Sequence, residues 1–195
     1  MANEFEYYRI QRDNDNSIPI LSQDSGCPDY LYMDDPIENP ELMLFRFGKP
    51  IPRKPKMADY HSTPSSVISK KIFDILAPMK IEGIQLLPAR IKGKDEDIFT
   101  DYWAIHVYST IECIDRRLSD CVIDDISIGY VKKLVLEKQK LAELPLEKRL
   151  VFRLQEDFAY QLYHASIKEK IMSVNPIGIK FTNIEDWNEG SFFSN

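Results

Sequence analysis

Carboxylates are the chemically capable groups that this sequence gathers most densely. Asp95, Glu96, Asp97 and Asp101 crowd one polar stretch, and Glu112, Asp115, Asp120, Asp124 and Asp125 follow soon after, interrupted only by Arg116 and Arg117. Paired carboxylates can divide acid and base roles in glycoside cleavage, but that pairing is spatial and spacing alone does not select it. The same residues read first as a solvated surface, and second as one acidic edge where a basic protein docks. Such an edge would raise the association rate, while aromatic side chains at its centre would supply most of the affinity.

Other chemistry finds less support. A cysteine nucleophile needs a histidine base and an orienting group. Cys113 and His106 could approach one another, but both fall among large apolar residues, which suits a small buried hydrophobe and a satisfied buried imidazole. Cys27, Cys113 and Cys121 are odd in number and show no metal or disulfide spacing. His61 and His164 have no partner at zinc-ligand spacing. Asp13-Asn-Asp-Asn-Ser17 lacks the glycine and glutamate of a calcium loop, having Ile18 and Asp24 there. The closest glycines, Gly83 and Gly93, are ten residues apart, so neither a phosphate-cradling loop nor a hydrolase elbow can form. No catalytic residue, cofactor or metal is expected.

The 195 residues carry 25 basic and 31 acidic side chains, a net charge of −6. That balance opposes binding to nucleic acid or to an anionic membrane, where affinity comes from neutralising phosphates. No apolar run reaches the ~20 residues of a membrane span. The opening MANEFEYYRIQRD has no basic-then-apolar leader pattern, so the expectation is a cytoplasmic protein.

Eight of the twelve prolines fall in the first 64 residues. Eight acidic and no basic residues lie between Asp13 and Glu41, and five basic and no acidic ones between Arg46 and Lys56. Residues 1–60 therefore read as an irregular arm packed on the core, with extended pieces at Phe5–Ile10 and Leu42–Phe47. Residues 61–187 read as the core domain and 188–195 as a loose tail. A helix is expected from about Pro64 to Ala77, capped by Thr63 and burying Ile68, Ile72, Ile75, Leu76 and Met79. Ile84–Ile91 is extended, with Pro88 marking an edge or a bulge. Tyr102–Ser109 presents Trp103, Ile105 and Val107 on one face and Tyr102, Ala104, His106 and Tyr108 on the other, a central strand. Further strands are expected at Tyr130–Leu136, Leu150–Gln155, Phe158–Tyr163 and Ile177–Phe181. Ser166 and Glu169 form a capping box for a short helix to Val174. The order implies an α+β fold: a mixed, largely antiparallel sheet with one main and one short C-terminal helix.

The segments IQLLPARI, DYWAIHVYSTIECIDRRLSD, YVKKLVLE, LVFRLQEDFAYQLYHASIKEKI and GIKF span about Ser65 to Ile184. The YWAIHV strand leading to Ile114-Asp115, the Phe152-Arg153-Leu154 strand, Ser166 and Gly178–Phe181 are their most telling parts. Together they resemble a bacterial family first catalogued as a domain of unknown function and later grouped with the immunity proteins of polymorphic toxin systems. The resemblance implies an intracellular antitoxin that binds a cognate toxin and blocks its active site. It carries over no catalytic or cofactor residue. Two other readings stand beside it. One is a small enzyme with a spatially assembled carboxylate or histidine site, and the other an adaptor subunit docking through residues 1–60.

Overall fold

The computed structural model describes residues 4–30, 33–123 and 127–192. Two mixed sheets and a two-stranded ribbon dominate it. In the first sheet, β13 (Ile179–Asn183), β1 (Tyr7–Arg12), β12 (Asp157–His164), β11 (Val151–Leu154) and β8 (Thr110–Ile111) lie in that order. The second runs β2 (Leu21–Gln23), β3 (Met43–Phe47), β6 (Ile84–Lys92), β7 (Ile98–Val107), β5 (Val67–Ser69), β4 (Tyr60–His61). The ribbon pairs β9 (Asp120–Ile123) with β10 (Ile128–Lys133). Only β3–β6 and β11–β8 are parallel among the described pairs, so the expected mixed, largely antiparallel character holds, spread over two sheets. Helices α1 (Lys70–Leu76), α2 (Lys138–Ala142) and α3 (Ala165–Met172) are short.

Three apolar clusters hold these layers. The middle one packs Ile10, Val151 and Tyr163 of the first sheet against Ile68, Ile105 and Val107 of the second, with Ile72 and Leu76 of α1 and Ile167 and Ile171 of α3. The opposite face of the first sheet buries Tyr7, Phe152 and Leu162 with Leu134, Leu141 and Trp187. The far face of the second sheet buries Phe45, Leu87, Ile91 and Ala104. Both faces of β7 are thus covered, as its two rows of large residues predict. Pro88 sits in an interior strand, yet β3 begins pairing only at Ala89, so the missing N–H at Pro88 interrupts no ladder on that side. The register then slips between Ala89 and Ile91, the expected bulge.

Two local expectations are corrected. Residues 67–69 form a strand, not the start of a helix, and α1 begins at Lys70. Val67 and Ile68 are β-branched and fully buried, and pairing with Ala104 and Trp103 outweighs the helix-start signal of Thr63-Pro64. The cap of α3 is His164, whose Nδ1 accepts from the Ser166 N–H at 3.2 Å, two residues before the cap that a Ser166–Glu169 box requires. The helix α2 was not anticipated.

The proline-rich first third is woven into the sheets. β1 and β3 match the two extended pieces expected there, but β1 lies between β12 and β13. Residues 33–37 are strapped down by three side chains: buried Arg153 donates through Nη2 to the Met33 carbonyl at 2.5 Å, buried His106 through Nε2 to the Asp35 carbonyl at 3.0 Å, and half-buried Gln85 bonds both the N–H and the carbonyl of Ile37. Gly178 (φ +78°) lets three segments meet, since a Cβ there would stand 2.5 Å from Ala58 Cβ and 2.8 Å from Ile18 Cδ1. At the other end Trp187 is buried, and the Ser191 Oγ accepts from the Asn188 N–H at 3.0 Å.

Arg149 anchors the beginning of the chain. Its Nη1 donates to the Glu4 carbonyl at 2.8 Å and to the Tyr7 hydroxyl at 3.0 Å, and its Nε to the Leu144 carbonyl at 3.1 Å. Its side chain is 2% exposed, whereas that of its ion-pair partner Glu4 is 63% exposed. Arg149→Met should therefore lower stability by about 3 kcal/mol, because it strands buried acceptors. Glu4→Gln should cost less than about 1 kcal/mol, because that charge is solvated. Chemical denaturation of both variants checks the contrast, and equal costs would refute it.

His61 predicts an acid response. Its Nδ1–H donates to the Pro19 carbonyl at 3.2 Å, and its buried Nε2 has no partner among the described residues. Burial first, and the Arg12 charge second, push its pKa down to about 4 from 6.5, against the Pro19 bond. The unfolded chain therefore takes up this proton first. The contribution is complete above pH 6.5 and is lost as pH falls to about 4, a loss of roughly 3 kcal/mol. Urea melts across that window should show the slope, and His61→Asn should flatten it; an unchanged slope would refute the assignment.

Candidate functional site

The acidic side chains expected at one edge occupy two places. Asp95, Glu96, Asp97 and Asp101 lie at the tip of the β6–β7 hairpin and the first residues of β7, all exposed. The turn is tight: the Gly93 N–H donates to the Asp97 carbonyl at 2.7 Å, and Lys92 Nζ reaches Glu96 at 2.6 Å. Glu112, Asp115 and Asp120 follow the opposite end of β7, a ten-residue strand and so roughly 30 Å long. There Asp115 Oδ1 accepts from the N–H groups of Arg117 and Leu118, closing the turn into the ribbon. Glu112 faces Lys140 at 3.8 Å and Asp120 faces Lys132 at 3.4 Å. Asp124 and Asp125 lie outside the described residues. The second group stands beside exposed apolar side chains, Leu118 (61%), Val122 (62%) and Tyr130 (59%).

A cavity elsewhere has the opposite sign. About 840 Å³ opens where β1 and β12 meet the turn between β4 and β5. Among the described residues its charged lining is Arg9, Arg12 and Lys180, with no Asp or Glu. Ser62, Thr63, Ser65 and Ser66 form one wall, and Asn14 and Asn16 another. The Arg9 guanidinium lies over the rings of Tyr160 (4.1 Å) and Trp187 (4.4 Å). Burial lowers its pKa, opposed by Tyr160, Tyr60 and Asp157. Arg12 Nε donates to the Asp13 carbonyl at 3.2 Å. On the floor, Ser66 Oγ donates to Gln161 Oε1 at 2.9 Å, and Tyr60, whose pKa burial pushes up to about 12, stays a neutral hydroxyl 3.1 Å from Ser66 Oγ.

Cys113 lies fully buried in the cluster around Tyr7, where burial pushes its thiol pKa well up, while His106 spends its Nε2 on the Asp35 carbonyl. Burial also lowers the His106 pKa, keeping the ring neutral. Both match the structural readings of these residues. No group of three His, Cys, Asp or Glu that could hold a metal ion occurs among the described residues. No described helix is long and apolar enough to cross a membrane.

The groove was not foreseen, because its lining comes from segments spread from Arg9 to Ser191. One signal was present. In Asp13-Asn-Asp-Asn-Ser17 the two amides line the cavity, while Asp13 Oδ1 is taken by the Asn14 N–H and Asp15 Oδ1 by the Ser17 N–H and hydroxyl. The carboxylates are spent on their own turns.

No curated protein matches the chain. The sequence pattern of an immunity protein family, Imm11, matches residues 5–186, from two residues before β1 to the residue before Trp187. This interval takes in both sheets, the ribbon and most of the groove, and the chain belongs to the Imm11 immunity protein family.

Proposed function

We propose that this protein neutralises a cognate bacterial toxin by forming a stable complex with it, within a polymorphic toxin system and in the cytoplasm. The observation that carries the reading is the family match over residues 5–186. The chemistry of the groove supports it: among the described residues its lining holds no carboxylate, imidazole or thiol to move a proton or attack a substrate. Inhibition by occupancy needs none of these groups.

The acidic groups suit a basic toxin. Asp95, Glu96, Asp97 and Asp101 at the hairpin tip, and Glu112, Asp115 and Asp120 at the ribbon, project negative charge from a chain of net −6. Exposed Leu118, Val122 and Tyr130 beside the second group would add contact area. These loops act in steering, which raises the association rate more than the affinity.

Co-expression with its cognate toxin should rescue growth, and the two chains should co-purify in fixed ratio. Growth arrest despite equal expression would refute the reading. For the steering loops, Asp95→Asn/Asp97→Asn should slow association about threefold at low salt and leave dissociation nearly unchanged. Stopped-flow binding measures both rates, and a change confined to dissociation would remove the steering role.

A further inference from the structure

We infer that the outer edge of β13 receives an extended strand of the toxin, one with alternating apolar and polar residues, an inference that rests on the toxin-binding reading above. β13 closes one side of the first sheet, and among the described residues no strand pairs with its outer side. It is the longest edge strand of the two sheets, with five residues against two in β8, three in β2 and two in β4. All five residues are half-buried, whereas all four of interior β11 are buried. The backbone bonds to β1 fix which groups face outward. The Ile184 N–H donates to the Tyr7 carbonyl and the Asp13 N–H to the Gly178 carbonyl, both at 3.0 Å. Between them the register runs unbroken from Tyr8–Asn183 to Arg12–Ile179. Even-numbered residues therefore direct N–H and C=O toward β1, and odd-numbered ones direct theirs outward. The Asn183 carbonyl accepts from the Asp186 N–H at 3.1 Å. Ile179 and Phe181 thus present their N–H and C=O groups to the outer edge at the alternate spacing of a strand backbone, the chemistry that strand addition uses.

The edge is shaped for this pairing. Proteins guard an exposed edge with a bulge, a proline or a charge along it. β13 has no register shift and no proline. Its one charged residue, Lys180, shares the face of Thr182 and not that of Phe181. The strand is also held in place before anything binds. The Ile177 N–H donates to Asp59 Oδ2 at 2.7 Å ahead of it, and the Ile184 bond to Tyr7 follows it, so little ordering is left to do on docking. Alternation sets the chemistry of the incoming strand. Phe181 stands opposite Ile10, and with Ile179 it packs against the middle cluster while only half-buried. Every second side chain of an added strand falls beside these two, where an apolar residue covers them, and the residues between fall on the polar side of Lys180 and Thr182. Ile177, 60% exposed just before the strand, adds apolar contact at the same end. A second copy of the chain fits less well. A pairing of two β13 edges that uses all these backbone groups sets Ile179 opposite Phe181 and so Lys180 opposite Lys180, which opposes like charges.

The test is amide hydrogen exchange read by NMR, on the full chain alone and with the toxin that it rescues growth from. In the free chain the Lys180 and Thr182 amides, which face β1, should exchange slowly, and the Ile179 and Phe181 amides fast. Bound toxin should slow the Ile179 and Phe181 amides about tenfold. Unchanged exchange at both in the complex would overturn the inference. So would slowing that grows with the chain's own concentration in the absence of toxin, which assigns the edge to a second copy. Ile179→Pro removes one outward N–H at the first position of the strand, where proline spares the ladder to β1, and should weaken toxin binding about tenfold. Ile179→Val keeps that N–H and should change the affinity by less than about twofold. Equal affinities of the two folded variants would also overturn the inference. Far-UV circular dichroism establishes that Ile179→Pro folds; if it does not, the exchange contrast in the unmodified chain decides. The two readings separate in the same experiment. Failure of the unmodified chain to rescue growth refutes toxin binding, and this inference with it. Rescue and a stable complex without slowing at Ile179 and Phe181 leave toxin binding intact and refute the edge as its docking site.

Discussion

The structure depends on the pairing of β1 with two strands from the other end of the chain. Tyr8 stands opposite Tyr163 on one side and Asn183 on the other, and Arg9 opposite Leu162 and Thr182. Side chains alternate across this strand. Tyr7 enters one apolar cluster, Ile10 enters the next, and Arg9 shares the face of Tyr7, which sets it over Tyr160 and Trp187. A slip of one residue would drive Arg9 into the middle cluster and Ile10 to the face of Tyr160 and Trp187, so burial on both faces enforces the register. Arg149, clamping Glu4 and Tyr7, locks the entry to this strand.

That pairing also explains which parts of the fold were legible in the sequence. β7 was readable because both of its faces are apolar and the chain meets them locally. The strands β11 and β13 were readable from their alternation, and β6 and β12 as extended pieces. By contrast, nothing within residues 1–60 says that β1 will be a central strand. Its sequence, YYRIQR, mixes polar and aromatic residues, and its partners lie more than 140 residues away. Proline content biased the reading toward an arm, although the prolines fall in the connections and not in β1 or β3. Val67–Ser69 was misassigned for a related reason: a local helix-start signal lost to burial between β4 and β7, which only the tertiary structure provides.

The candidate sites divide in the same way. The acidic residues were visible as runs, but β7 runs between the two groups, so the single edge became two loops. The groove had no run to reveal it. Its cations are isolated in sequence, at positions 9, 12 and 180. Charge counting over the whole chain, which gives −6, conceals a local surplus of the other sign. Loops roughly 30 Å apart are screened from one another at a Debye length of about 8 Å and act on an approaching partner separately.

The central claim is that the protein acts by occupying its partner and not by turning anything over. Titrating it against a fixed amount of active toxin, at concentrations well above the dissociation constant, tests this most directly. The account predicts a linear loss of toxin activity that ends sharply at a fixed molar ratio and does not deepen with time. Progressive inactivation of excess toxin by a small fraction of this protein would contradict it.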